Sequence, residues 1–310
     1  MRILLAGGSG VLGQLAAKDL TAEGHQVSGL GRGAGNAIRA DLLDREAVLR
    51  AVDGRAFDVV IHAATGLNGK SLTRHRDMYP TNALRDTGTR NLIEAARATG
   101  AKRFVAESMV LGYGYRDHGR SLHTEADLPF GPTGGNAQLE RHLAAMRTKE
   151  ELTLGLGAEG IEGIALRLGL FYGPGVTETV VVPPLRKRAL PAPPERGLLL
   201  PWVSVADAAA ALCAAVQYGR AGEAYNIVDD VPLSFGGHMR VVAEAFGAPK
   251  PMTVPLWLLR AAPLAHACMS TNLRLSNAKA KAELHWKPAS PNGPEAVRAL
   301  ALALARQRPS

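Results

Sequence analysis

The residues most able to do chemistry follow the first apolar run. Gly7-Gly8-Ser9-Gly10-Val11-Leu12-Gly13 spaces Gly7, Gly10 and Gly13 three apart. Glycines at that spacing permit a tight turn and let the backbone approach a pyrophosphate closely. A helix starting there offers unpaired N–H groups and the positive end of its dipole, so Ser9, Val11 and Leu12 join the glycines in a dinucleotide cradle. The next apolar run ends in Leu30-Gly31-Arg32-Gly33. It carries no carboxylate to bind a ribose 2′-hydroxyl, and Arg32 can grip a 2′-phosphate, which favours NADPH over NADH. Asp41 and Leu42 are placed to flank the adenine. Side chains that can hold or move a proton come later: Ser108, Tyr113, Tyr115, His118 and His123. Ser108 and Tyr113 are the two candidates for contact with a substrate oxygen, although strand alternation can turn Ser108 away.

Several elements must position these groups. Arg2–Ala6, Gln26–Leu30, Asp58–Ile61, Arg103–Ala106 and Ile164–Leu168 read as strands. Helices are expected over Gly13–Glu23, Arg45–Val52, Leu84–Thr99 (stopped by Gly100) and Ala137–Arg147. Asp58-Val59-Val60-Ile61 lacks polar alternation, as a strand covered on both faces does. This βαβ rhythm predicts an α/β fold, a Rossmann-type doubly wound parallel sheet with a smaller C-terminal substrate lobe. Residues 1–175 would form the dinucleotide-binding domain, with a strand and helix returning near 200–230. Residues 176–310 would supply mainly the substrate lobe and lid. Six prolines between 183 and 201 mark a connection rather than a regular element, and the apolar stretch from Val254 to Cys268 suits a greasy cap.

Bulk properties exclude some classes. No apolar run reaches the roughly 18–20 residues of a membrane helix, and Met1–Ala6 is broken by glycines at once, unlike a signal peptide. Cys213 and Cys268 are too few for a disulfide framework, so a reduced cytoplasmic protein is expected. The net charge of +8 is scattered, apart from Arg186-Lys187-Arg188 and a loose basic loop from Lys70 to Arg76. Without a nucleic-acid motif it reads as solvated surface or a field that draws in an anionic dinucleotide. No metal, nucleic acid or membrane partner is expected, and the chain would act as a monomer or homodimer.

Beyond the glycine motif, the order of short motifs resembles an extended short-chain dehydrogenase/reductase of the nucleotide-sugar epimerase/dehydratase type. The likeness rests on Asp41-Leu42, His62-Ala63-Ala64, Gly88-Thr89-Arg90-Asn91-Leu92, Leu166-Arg167 and Tyr172-Gly173-Pro174-Gly175. It continues through Val205-Ala206-Asp207-Ala208-Ala209 and Tyr225-Asn226-Ile227 to Leu284-His285-Trp286-Lys287-Pro288. The resemblance implies that Ala63 and Ala64 back the cofactor and that Leu168, just after Arg167, faces the nicotinamide.

The departures from that family's pattern are chemical. Where it carries Ser, Tyr and Lys, this chain has Met109, Pro132 and Asn136, and Arg85 replaces an Asn usually found six residues before Asn91. Met and Pro side chains cannot exchange a proton, and Asn is a hydrogen-bonding group rather than an acid. Gly131, Gly134 and Gly135 around Pro132 suggest a remodelled approach to the next helix. The expected function is an atypical NADPH-dependent ketoreductase acting on a polycyclic aromatic, polyketide-like ketone, as in antibiotic biosynthesis and in some angucyclinone-type reductases. A phenol on the substrate would assist the proton step. The alternatives are a non-catalytic NADP-binding sensor or partner protein and, third, a nucleotide-sugar epimerase or dehydratase.

Overall fold

A computed structural model describes residues 1–67, 72–127, 130, 136–290 and 292–307. The first half runs β1 (Arg2–Ala6), α1 (Val11–Ala22), β2 (Gln26–Gly31), β3 (Ile38–Arg39), α2 (Arg45–Val52) and β4 (Val59–His62). α3 (Tyr79–Ala83) then passes through a π-helical turn, Leu84–Gly88, into α4 (Thr89–Thr99). β5 (Arg103–Met109), α5 (Ala137–Leu154) and β6 (Glu162–Leu168) follow. The second half holds β7 (Leu170–Tyr172), α6 (Val182–Arg186), β8 (Trp202–Ser204), α7 (Val205–Tyr218), β9 (Glu223–Ile227) and α8 (Phe235–Ala245). α9 (Pro263–Met269), α10 (Ala278–Glu283) and α11 (Gly293–Arg306) complete it.

Seven strands form one parallel sheet in the order β3-β2-β1-β4-β5-β6-β9. The sheet is apolar on both faces because helices cover both. Along β1, Ile3 and Leu5 join a core with residues of α1 and α7, whereas Leu4 and Ala6 join one with residues of α2 and α4. The strand order reverses between β1 and β4, so the crevice at their C-terminal ends is the natural ligand position in such a sheet. β9 forms the far edge of this sheet, and residues of α7 share the core on one of its faces.

The remaining elements build the smaller lobe. β7 and β8 pair in parallel as a separate two-stranded sheet, and Tyr172, Leu185, Trp202, Met239 and Val297 share its core. α6 forms inside the proline-rich stretch expected to be irregular. Pro183 sits in its first turn, where the absent N–H would have had no helical partner. No helix among the described residues is long and apolar enough to cross a membrane.

The C-terminal end of α5 lies directly against the start of β6. A Cβ on Gly163 would collide with the Thr153 carbonyl oxygen, and a backbone atom cannot swing away as a flexible side chain can. Gly163→Ala should therefore destabilise the protein by about 1–3 kcal/mol, the usual range for overpacking. Urea unfolding checks this: the midpoint should fall while the slope stays unchanged.

Candidate active site and cofactor cleft

The crevice at the strand reversal is a cleft of about 880 Å³. Gly7, Ser9, Gly10, Arg32, Asp41, Leu42, Ala63 and Ala64 line it, together with Leu84 and Pro80 from the neighbouring helix. Gly7 has φ +88°, and a Cβ there would stand 2.6 Å from the Ala63 carbonyl oxygen. Gly13 is closed to a side chain by the carbonyl of Gly7, so these two glycines let α1 dock on the strand turn. Gly10 caps α1 without a side-chain hydrogen bond, which leaves the first helical N–H groups available to an anion. The cradle therefore fits a dinucleotide pyrophosphate. The other expected cofactor residues lie elsewhere: Val11 is partly exposed at the start of α1, Leu12 is buried in that helix, and Leu168 is buried at the end of β6. Arg32 stands at the rim with its side chain 72% exposed, and its Nη1 lies 3.7 Å from Asp41.

Along the same edge of the sheet, at the C-terminal ends of β5 and β6, the two candidate hydroxyls belong to a buried polar network. Ser108 Oγ donates to Glu150 at 2.5 Å. Arg167 donates through Nη2 to Glu150 at 2.8 Å and through Nη1 to the Tyr113 hydroxyl at 2.7 Å. Tyr113 in turn donates to Asn226 Oδ1 at 2.9 Å. Burial raises the Tyr113 phenol to about 12, against the opposing pull of Arg167. His118 and His123 bond to backbone carbonyls of the same loop, beside the 272–276 segment. Pro132, Gly131, Gly134 and Gly135 lie outside the described residues, and Lys70 does too. Asn136 is described. Its side chain caps α5 by accepting from the N–H groups of Gln138 and Leu139.

Met109, the last residue of β5, meets a different neighbour. Arg85 Nη2 points at its sulfur at 3.8 Å. Arg85 is 4% exposed, and its Nη1 has no hydrogen-bond partner among the described residues. The π turn that carries it is braced from two sides: His62 Nε2 bonds the Leu84 carbonyl at 3.1 Å, and Thr89 donates to the Arg85 carbonyl at 2.7 Å. Three residues earlier, Asn82 Nδ2 bonds His142 Nδ1 at 2.8 Å, and His142 Nε2 bonds His75 Nδ1 at 3.1 Å. Burial lowers His142 to about 4, with the charges of His75 and then Arg85 acting in the same direction, so it is neutral at pH 7. Burial raises the nearby Tyr115 phenol, Cys268 adds to the rise, and Arg85 opposes it. The apolar stretch reaches this region through the Leu264 N–H bond to the Thr73 carbonyl.

The sequence marks Arg85 only as a departure, and nothing in it joins His75, Asn82 and His142 into one cluster or pairs Glu150 with Arg167. The available signal was helical phase. Asn82 and Arg85 are three apart, as neighbours on one helix face are, but nothing in the sequence marks that face as buried.

The pattern of the NAD dependent epimerase/dehydratase family matches residues 3–228. The chain belongs to that family. A 3-diazoavenalumate denitrifying reductase of a Streptomyces species is 33% identical over 312 residues, 94% of this chain and 97% of that protein. A 2-alkyl-3-oxoalkanoate reductase of Stenotrophomonas maltophilia is 32% identical over 61% of this chain and 56% of its own length. The structure of Thermus thermophilus UDP-glucose 4-epimerase with NAD matches at a TM-score of 0.77 and 25% identity, covering 99% of this chain and all of that one. These likenesses support an oxidoreductase that uses a nicotinamide dinucleotide.

The Glu150–Arg167 pair holds α5 to the sheet with both side chains at least nine-tenths buried. Glu150→Gln leaves the guanidinium without its charge partner, so a loss of about 3–5 kcal/mol is expected. The readout is unfolding free energy from denaturant titration. A loss below about 1 kcal/mol, the range of exposed pairs, would contradict the assignment.

Proposed function

We propose that this chain is an NADPH-dependent reductase that positions a dinucleotide against an aromatic acceptor and lends the reaction no acid from the family's Ser, Tyr and Lys positions. One observation carries the reading. At the end of β5 the side chain beside the site is the Met109 thioether facing Arg85, whereas the Ser108 and Tyr113 hydroxyls are committed to Glu150, Arg167 and Asn226. When bound, the dinucleotide supplies a hydride.

An acceptor that needs no proton suits such a site best: a diazo group on an aromatic ring, reduced in its diazonium form. Hydride forms the ring C–H bond, the C–N bond breaks, and its electron pair leaves with dinitrogen. No alkoxide develops, so no acid is required. The relative named for a denitrifying reduction of a diazo compound, matched over nearly its whole length, supports this choice. The second reading is reduction of a ketone on a polycyclic, polyketide-like ring system, with a phenol of the substrate stabilising the new alkoxide. It is favoured by the likeness to a 3-oxoalkanoate reductase. Both relatives' names denote anions of organic acids.

The protein should be mixed with NADPH and either an arenediazonium salt or a hydroxyaryl ketone. Dinitrogen release that matches NADPH consumption, above the protein-free rate, supports the first reading; ketone-dependent consumption alone supports the second. If neither acceptor is reduced while NADPH still binds, both fall, and a non-catalytic NADP-binding protein stands instead. For the diazo reaction, Tyr115→Phe and the Ser108→Ala, Tyr113→Phe double variant should keep turnover within about threefold, because general-acid roles are worth roughly a hundredfold or more.

NADPH selection is assigned to Arg32. Because its side chain is exposed and shares its charge with Asp41, Arg32→Ala should lower the preference for NADPH over NADH by roughly tenfold rather than more. Cofactor dissociation constants measure this, and an unchanged ratio would remove Arg32 from the site.

A further inference from the structure

We propose that Arg85 is the floor of a substrate-carboxylate subsite: the guanidinium awaits the anionic end of an aromatic acid whose other end lies beside the cofactor cleft. The inference rests on the reductase reading for its location next to the dinucleotide, but the binding of an anion stands by itself.

A buried charge is normally paired, because desolvating it alone is costly. Arginine cannot escape by losing its proton. Lys149, buried in the same neighbourhood, follows the rule: its ammonium lies 3.2 Å from Glu107 and 3.3 Å from the His62 carbonyl. Arg85 does not. No carboxylate pairs with it among the described residues, Nη1 meets no acceptor, and Nη2 meets only a thioether, which is a weak one. Its charge opposes protonation of His142, His62 and Lys149 and opposes the rise of the Tyr115 phenol. Arg85 is thus a buried cation without a charge partner among the described residues, whereas Lys149 has one.

The mounting of Arg85 indicates a ligand rather than chance. An extra residue in the helix, locked by His62 and Thr89, fixes where the side chain leaves the backbone, and π turns are frequent at functional sites. Leu84, immediately before it, lines the cofactor cleft. Asn82, on the same helix, has a second unpartnered buried atom, Oδ1. Guanidinium binds carboxylate through two parallel N–H groups, which matches a side chain with one free Nη and one weakly used Nη. The Met109 thioether beside the guanidinium supplies the soft, polarizable contact that an aromatic ring accepts.

The test is binding, measured calorimetrically on the NADP-loaded protein with cinnamate and its neutral isostere cinnamamide as probes. Cinnamate should bind at least tenfold more tightly than cinnamamide to the wild type. Arg85→Gln should weaken cinnamate by roughly thirtyfold and cinnamamide by less than threefold, with Arg85→Lys intermediate and NADP affinity unchanged. Because Gln removes an uncompensated buried charge, the variant's melting temperature without ligand should be equal to or above that of the wild type. Arg85→Met repeats the measurement if Gln fails to fold.

The proposal is overturned if cinnamate shows no preference over cinnamamide at concentrations up to roughly 10 mM, or if Arg85→Gln binds cinnamate as the wild type does. It is also overturned if NADP weakens by the same factor, because the guanidinium would then serve the cofactor. None of these outcomes depends on turnover. Carboxylate binding without reduction of any acceptor would refute the reductase reading and leave this one standing.

Discussion

The buried ion pair between Glu150 and Arg167 is the constraint on which the C-terminal ends of β5 and β6 and the helix α5 depend. It ties α5 to β6 across the sheet, and each partner extends it further. Glu150 takes the Ser108 hydroxyl, while Arg167 takes the Tyr113 hydroxyl and stacks over the Phe130 ring at 3.9 Å. Tyr113 hands the network on to Asn226 in β9. Three adjacent strands and one helix are thereby fixed by side chains that neither water nor substrate needs to touch. A buried pair of this kind is weak evidence for net stability against an apolar alternative, but removing one member is severe. Its structural effect is to set the position of α5, and hence of His142 and Lys149 on that helix.

Polar groups behind the sheet thus divide into two sets with different logic. Glu107, Lys149, Glu150 and Arg167 balance one another, and their neighbours satisfy most of the remaining lone pairs and protons. Arg85, Asn82 and the two histidines do not balance: they leave a free donor, a free acceptor and a net positive charge. The first set is consistent with a scaffold, the second with a binding surface. Both sets are mostly buried, with His75 and Glu107 partly exposed, and polarity alone does not separate them. What separates them is whether each hydrogen-bonding atom finds a partner within the protein.

The parts of this arrangement that could be read from the sequence are those governed by local pattern. β1 and α2 begin and end as expected, because an uninterrupted apolar strand and a capped amphipathic helix declare their limits; Asp44 accepts from Ala47 N–H at the start of α2. The glycine cradle was legible because close backbone approach excludes other residues. Errors concentrate where polar residues are buried. β5 was expected to stop at Ala106, yet it continues through Glu107, Ser108 and Met109, and α5 runs past Arg147 to bury Lys149, Glu150 and Thr153. Period-based reading treats such residues as surface, since only long-range partners make their burial tolerable. Leu84 was expected to open a long helix, but the helix begins at Tyr79 and carries a π turn, which no residue pattern announced. The positions of Ser108, Tyr113 and Arg85 were legible; their partners, set by contacts across the fold, were not.

The π turn also bears on how this site could have arisen. A helix advances about 100° per residue, so an added or lost residue between Asn82 and Arg85 would rotate one of them off their shared face. Point substitution at position 85 can exchange one ligand preference for another while the turn survives. Insertion or deletion cannot do so without dismantling the face itself. The turn therefore makes the site easy to retune by single substitutions and hard to reach by changes of length.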